Sequence, residues 1–228
     1  MHGPRFAYPL LIVGLLLLPT LIGGCTSSPQ IVSVSPAPGN YQTSTQAPLR
    51  IVFDQPMDQG SVASHFHLEP STSGVTISWP NSKTALISHA LFSTTTEYQA
   101  ILEGGYRDLE GSSNSLRHHW QFKTENSPTL NSSTPEDKSS TVDPSTDILL
   151  NFSRQMDLNS LAMAIKLSPS TPFRLAPQPG DVSQVVVIPT GTLRANTTYS
   201  LTLESEARDI DDNSLAVTPK FSFTTGLH

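Results

Sequence analysis

Cysteine occurs once in 228 residues, at Cys25, and charged residues make up only 14% of the chain. A single thiol excludes a disulfide framework and a cysteine-rich metal site. Lysine and arginine number 13 against 19 acids, a net charge of −6. No basic run offers itself to nucleic acid. Gly-rich phosphate loops and a G-x-S-x-G elbow are missing, and no serine has a recognisable His and Asp context. Apart from one N-terminal run, no stretch approaches the about 20 apolar residues that a spanning helix needs. What the chain does have is Ser, Thr and Pro, a composition suited to short strands and turns rather than helices.

The N-terminal run is Phe6 to Ile22, preceded by Arg5 and followed by Gly23-Gly24-Cys25 and the polar Thr26-Ser-Ser-Pro-Gln30. A positive start, an apolar core and small residues before a cut have the form of a secretory signal. The run is short for a membrane anchor and is interrupted by Pro9 and Pro19. Ile22-Gly23-Gly24-Cys25 resembles the lipobox of bacterial lipoproteins, with Ile22 where leucine is usual. That resemblance implies cleavage before Cys25 and lipid attachment to it. Residues 1–24 are then a signal peptide and 25–30 a lipidated tether.

The rest of the chain reads as two copies of one unit. Phe53-Asp-Gln-Pro-Met-Asp58 returns 99 positions later as Phe152-Ser-Arg-Gln-Met-Asp157. The same shift pairs Leu49-Ile51-Phe53 with Ile148-Leu150-Phe152, and Leu68 with Leu167. Further on the shift is 101, pairing Tyr98-Ala100-Leu102 with Tyr199-Leu201-Leu203 and Trp120-x-Phe122 with Phe221-x-Phe223. The change predicts a two-residue insertion between Pro169 and Val187. The paired residues alternate apolar and polar, the period of strands with one buried face. About seven short strands in about 100 residues is the size of an Ig-like sandwich. The expectation is an all-β chain of two tandem Ig-like β-sandwiches, residues 31–125 and 126–228. Tyr98 and Tyr199 stand where such domains place a corner tyrosine, with Ala100 and Leu201 filling the position two residues later. Asp58 and Asp157 are placed as N-caps of single helical turns, and Met57 and Met156 as plugs of the core beneath.

These motifs resemble the bacterial Ig-like domain family of the SbsA type, first described in S-layer proteins. Copy one keeps Phe53, Pro56, Met57, Asp58, Tyr98, Arg107, Asp108, Gly111 and Phe122 of its pattern. Copy two keeps Phe152, Ser153, Met156, Asp157, Tyr199, Asp209, Asn213, Leu215 and Phe223, with Gln155 for proline and Asp212 for glycine. The resemblance implies a spacer or binding module on bacterial surface proteins and no common activity.

Two groups of residues invite a metal. His65 and His67 read as sharing one face of a strand, with His89 and the His118-His119 pair elsewhere in copy one, yet copy two has Ala164 and Lys166 opposite His65 and His67. Zinc needs a third ligand, and added histidines on one copy read as solvent-facing. The Asp209-x-Asp-Asp-Asn213 loop holds part of a calcium ligand set but lacks the EF-hand spacing; Asx turns account for it. No catalytic residue, metal ligand or cofactor is therefore assigned, and Cys25 is the one site residue. The expectation is a non-enzymatic cell-envelope lipoprotein. It would be held to a membrane by the lipid on Cys25, with a protein or glycan partner in the envelope and no nucleic acid. The absence of aspartate at Thr26 and Ser27 resembles outer-membrane sorting in diderm bacteria, which implies the outer membrane or cell surface; the inner membrane is the alternative. A metal-binding lipoprotein is the first alternative. An envelope hydrolase with an unrecognised site is the second.

Overall fold

The computed structural model describes residues 27–227. The signal segment 1–24 and Cys25 lie outside the described residues. Within the described residues, no helix is long and apolar enough to cross a membrane.

The first domain runs β1 (Ile31–Ser35), β2 (Asn40–Thr43), β3 (Leu49–Phe53), α1 (Gln59–His65), β4 (Phe66–Glu69), β5 (Thr76–Asn81), β6 (Thr84–Ser88), β7 (Glu97–Leu102), β8 (Tyr106–Arg107), β9 (Ser113–Asn114) and β10 (His118–Thr124). The second runs β11 (Leu130–Thr134), β12 (Ser139–Val142), β13 (Ile148–Phe152), α2 (Leu158–Ala164), β14 (Ile165–Ser168), β15 (Phe173–Gln178), β16 (Asp181–Pro189), β17 (Thr198–Leu203) and β18 (Lys220–Thr225). Each domain packs two four-stranded sheets. The first has orders β1-β3-β6-β5 and β2-β10-β7-β4; the second repeats them as β11-β13-β16-β15 and β12-β18-β17-β14. The all-β, tandem sandwich expected from the apolar alternation is therefore the architecture of the chain.

The inward positions are the repeated ones. Leu49, Ile51 and Phe53 of β3 meet Tyr98, Ala100 and Leu102 of β7 and Phe122 of β10 in one core. Ile148, Leu150, Phe152, Tyr199, Leu201, Leu203 and Phe223 build the other. Both are separate apolar clusters, so each domain has its own burial to stabilise it. The corner tyrosines hold their edge of the sandwich. Tyr98 Oη accepts from the Ser93 backbone N–H at 3.0 Å, and Tyr199 Oη accepts from that of Arg194 at 3.0 Å. Ala100 and Leu201, two residues on, are fully buried.

The Phe-x-x-x-Met-Asp motif acts as expected at its end. Asp58 accepts from the Ser61 backbone N–H at 3.0 Å and Asp157 from that of Ser160 at 2.7 Å, each capping a helix. Met57 and Met156 are buried below. Both helices run seven residues rather than a single turn. That extra length corrects the placement of His65. It closes α1 instead of sharing a strand face with His67, because its Nδ1 bonds the Ser61 carbonyl at 2.7 Å.

The insertion resolves into three changes. Ile87 and Val187 hold equivalent places, and their partners in the hairpin are Ile77 and Leu175. The second hairpin is thus two residues longer, the loop leading from Pro169 to it is one residue shorter than that after Pro70, and one further residue enters between Val187 and Leu193, so the expected insertion lies only partly before Val187. Apolar registration at Ile87 and Val187, partners of Leu49 and Ile148, survives because the extra residues lie beyond it.

Candidate functional site

Each sandwich has a pole where the helix-capping hexapeptide meets the Arg-Asp loop. In the second domain Met156 bridges Asp209, and the Asp157 N–H donates to the Arg208 carbonyl at 2.9 Å. Asp209 is 1% exposed. Its Oδ1 accepts from the backbone N–H groups of Asp211 at 3.0 Å and Asn213 at 2.8 Å, an Asx-type turn. The turn puts Asp212 at φ +65°, the slot in which Gly111 of the first domain has φ +90°. Aspartate is among the few residues that accept this left-handed conformation.

This pole receives the first domain. Arg154, on the hexapeptide, donates through one guanidinium nitrogen to Glu125 Oε2 at 2.6 Å and to Asp209 Oδ2 at 3.3 Å. Glu125 follows β10 directly and is nearly buried. Its Oε1 accepts from Asn213 Nδ2 at 3.0 Å. Thr45, between β2 and β3, donates its hydroxyl to Asn213 Oδ1 at 2.7 Å, and Ser44 donates to Asp211 Oδ1 at 3.3 Å. The buried amide of Asn213 therefore has partners on both domains. Burying polar groups is tolerable only when they are paired in this way. Burial, then the nearby Glu125 and Asp209 charges, raise the Asp211 carboxyl above the ordinary aspartate range, with Ser44 and Arg154 pulling the other way.

The first domain has the same pole with a different guest. Gln55 stands where Arg154 stands in copy two. Its amide donates to Asp108 Oδ2 at 2.7 Å and to the Ser27 carbonyl at 3.0 Å. Asn114 Nδ2 donates to the Pro29 carbonyl at 2.8 Å, and the Gln30 N–H donates to Asp54 Oδ1 at 2.8 Å. Tyr106, whose hydroxyl lies 3.5 Å from the same carbonyl, has its pKa pushed up to about 12 by burial and by Asp54. Pro29 is buried, as is Pro128 at the matching point of copy two. The segment Ser27–Gln30, read from the sequence as tether, is thus docked on the domain it precedes.

The metal candidates come apart. His67 lies near Glu69 and Glu103 at 3.8 and 3.9 Å; His89 bonds the Ala47 carbonyl through Nε2 at 2.9 Å. In the Asp209–Asn213 loop, Arg154 occupies the side of Asp209 that a cation would need, and Asp212 pairs with Arg208 at 3.3 Å. Among the described residues, no three or more His, Cys, Asp or Glu side chains are grouped to hold a metal ion. Sequence reasoning missed Glu125, Thr45 and Arg154. The available signal was the exchange of Gln55 for Arg154 inside an otherwise repeated motif.

A comparison with curated proteins gives no match. Among solved structures, the chain is similar to PcoC, a methionine-rich copper resistance protein from Escherichia coli, at 27% identity over 43% of this chain and 98% of that one, TM-score 0.35. It is also similar to an L,D-transpeptidase from Mycobacterium smegmatis, at 14% identity over 67% of this chain and 63% of that one, TM-score 0.35. A third likeness is to an E. coli alpha-2-macroglobulin fragment, at 12% identity over 87% and 71%, TM-score 0.36. Likenesses at these scores assign no activity. The bacterial Ig-like domain model matches twice, over residues 25–124 and 125–225, which together span almost the whole chain. With both sandwiches, both corner tyrosines and both capped helices in place, the chain belongs to the bacterial Ig-like domain family.

Proposed function

We propose that this protein is a lipid-anchored protein of the bacterial cell envelope, whose two Ig-like domains act as a non-enzymatic spacer carrying a binding face. Cys25 is the lipid attachment residue in this reading. The observation that carries it is the continuity of docking along the chain. Ser27–Gln30 is bonded to the first domain, and the first domain is bonded through Glu125 and Thr45 to the second. A spacer needs such joints, because a flexible linker would let the distal domain fold back. At the polar pole Asp209 accepts from backbone N–H groups and an amide, Glu125 from Arg154 and Asn213, and Asp211 from Ser44, while Asp212 pairs with Arg208; these contacts support a structural role for the carboxylates.

The anchor follows from the single cysteine behind an apolar run. Acyl chains contribute about 0.8 kcal/mol per buried CH₂, and two or more hold a protein firmly. The test is Cys25→Ala in a bacterial host. The unaltered chain should incorporate labelled palmitate and partition into detergent, and the variant should lose the label. Equal labelling of both would refute the anchor. The outer membrane or cell surface is the proposed location.

A further inference from the structure

The two copies differ most where the fold does not require it, on the outer face of one sheet. Between the turn before β2 and strand β10 lies a groove of about 260 Å³. It is walled by Tyr41, Glu97, His119, Trp120, Gln121 and Lys123, among others. His119, Gln121 and Lys123 alternate on β10 and so project from the same side of the sheet. Tyr41 sits on the edge strand with 70% of its surface exposed. The equivalent positions of copy two are Ser140, Thr198, Lys220, Phe221, Ser222 and Thr224. Small hydroxyl residues therefore suffice for the sheet at most of these positions, and copy one has replaced them with an exposed ring, an amide, a carboxylate and an ammonium.

Two features point to a ligand. Glu97 and Lys123 face each other across β7 and β10 yet share no ion pair among the described residues. The side chains of Tyr41, His119 and Gln121 likewise have no intramolecular partner there, whereas Trp120 between them turns the other way, into the core.

We infer that this groove binds a saccharide, one pyranose ring lying on Tyr41 with its hydroxyls paired to Gln121, Glu97 and Lys123. An exposed aromatic face beside a few convergent polar groups suits a molecule with an apolar C–H face and a rim of hydroxyls. The adjacent carboxylate and ammonium offset one another, which favours an uncharged ligand over a strongly acidic or basic one. A peptide strand added to the β2 edge is the weaker fit. That strand has four residues and its pairing with β10 shifts register between Phe122 and Thr124, a short and irregular template.

This inference rests on the binding-face part of the proposed function and not on the lipid. The test is calorimetric titration of the full chain, in a detergent without a sugar headgroup, with tetrasaccharides of β-1,4-linked N-acetylglucosamine, cellulose and amylose. At least one should bind saturably. Tyr41→Ala should weaken it ten-fold or more, and Gln121→Ser with Lys123→Thr, the copy-two residues, should weaken it further. Melting temperatures should stay unchanged, since Tyr41 stands in solvent. Amide chemical-shift changes centred on Tyr41, Gln121 and Lys123 on addition of the same sugar place the ligand in the groove. Silence with all three sugars overturns the inference, as does unchanged affinity in Tyr41→Ala or binding of an unstructured peptide in their place. Loss of palmitate labelling in a separate experiment would leave it standing.

Discussion

The two poles of this molecule share one frame and differ by one charge. At the first, Gln55 holds Asp108 and the backbone of the preceding segment at Ser27. At the second, Arg154 holds Asp209 and the carboxylate of the incoming domain. A neutral amide is enough where the guest offers only carbonyls. A guanidinium is needed where the guest brings Glu125 into a buried site already containing Asp209. Duplication thus supplied two docking poles, and the residue at one position decides what each can dock.

Five substitutions sharpen or break this comparison. The largest effect is expected from Phe152→Ala, which empties a side chain that is 1% exposed. In an Arg154→Gln background, where the two domains are expected to unfold separately, denaturant unfolding should show a loss of about 3–5 kcal/mol confined to the second domain. Because the cores are separate clusters, an equal loss in the first domain would contradict their independence. Next is Arg154→Gln, which gives the second pole the residue of the first. It strands Glu125 and Asp209 without a cation. A fully buried pair costs about 3–5 kcal/mol to break; the Arg154 side chain is 23% exposed, so about 2–3 kcal/mol is expected. Scanning calorimetry should then separate one transition into two. A single unchanged transition would mean that the junction does not couple the domains.

Asp157→Ala removes a cap and should cost about 1 kcal/mol, with Asp58→Ala matching it in the first domain. A cost above that of Phe152→Ala would mean that these aspartates do more than cap. The smallest effect is expected from Asp211→Asn, and its sign is opposite. The folded-state pKa of Asp211 is raised above its unfolded value by burial and by the charges of Glu125 and Asp209. Its ionised form is therefore disfavoured in the folded state, and the penalty is present at neutral pH. It is relieved as pH falls through the raised folded value, and is gone below the unfolded value, where both states are protonated. Asp211→Asn should raise the melting temperature at neutral pH and leave it unchanged in acid. A lower melting temperature at neutral pH would refute that cause.

Much of the fold was legible because it is written twice. A position that stays apolar at Leu49 and Ile148, or aromatic at Tyr98 and Tyr199, through a duplication that altered most neighbours is one the core selects. The caps were legible for the same reason at Asp58 and Asp157. The helix length was not, since both helices run seven residues although copy two has Ala164 where copy one has His65, so no repeated residue marks their ends. Nor was the true site of the insertion, because a loop shortening and a hairpin extension cancel in part within the alignment of the two copies. The junction was hidden more deeply. Glu125 aligns with Gly226 and Thr45 with Pro144, so neither repeats, and a contact between two domains has no counterpart inside either one. The groove of copy one lay in the same blind spot, being built from residues that differ between the copies.

The central claim is that Arg154 and Glu125 join the two domains as one coupled unit. A double-mutant cycle of Arg154→Gln and Glu125→Gln tests it most directly, read from the free energy of unfolding of the full chain. Glutamine keeps the Oε1 acceptor that Asn213 uses, so the cycle isolates the ion pair. The prediction is that the double variant is less damaged than the sum of the singles, with a coupling of about 1–3 kcal/mol as expected for residues in direct contact. Additivity to within about 0.5 kcal/mol would contradict the claim and leave the two sandwiches as neighbours that merely touch.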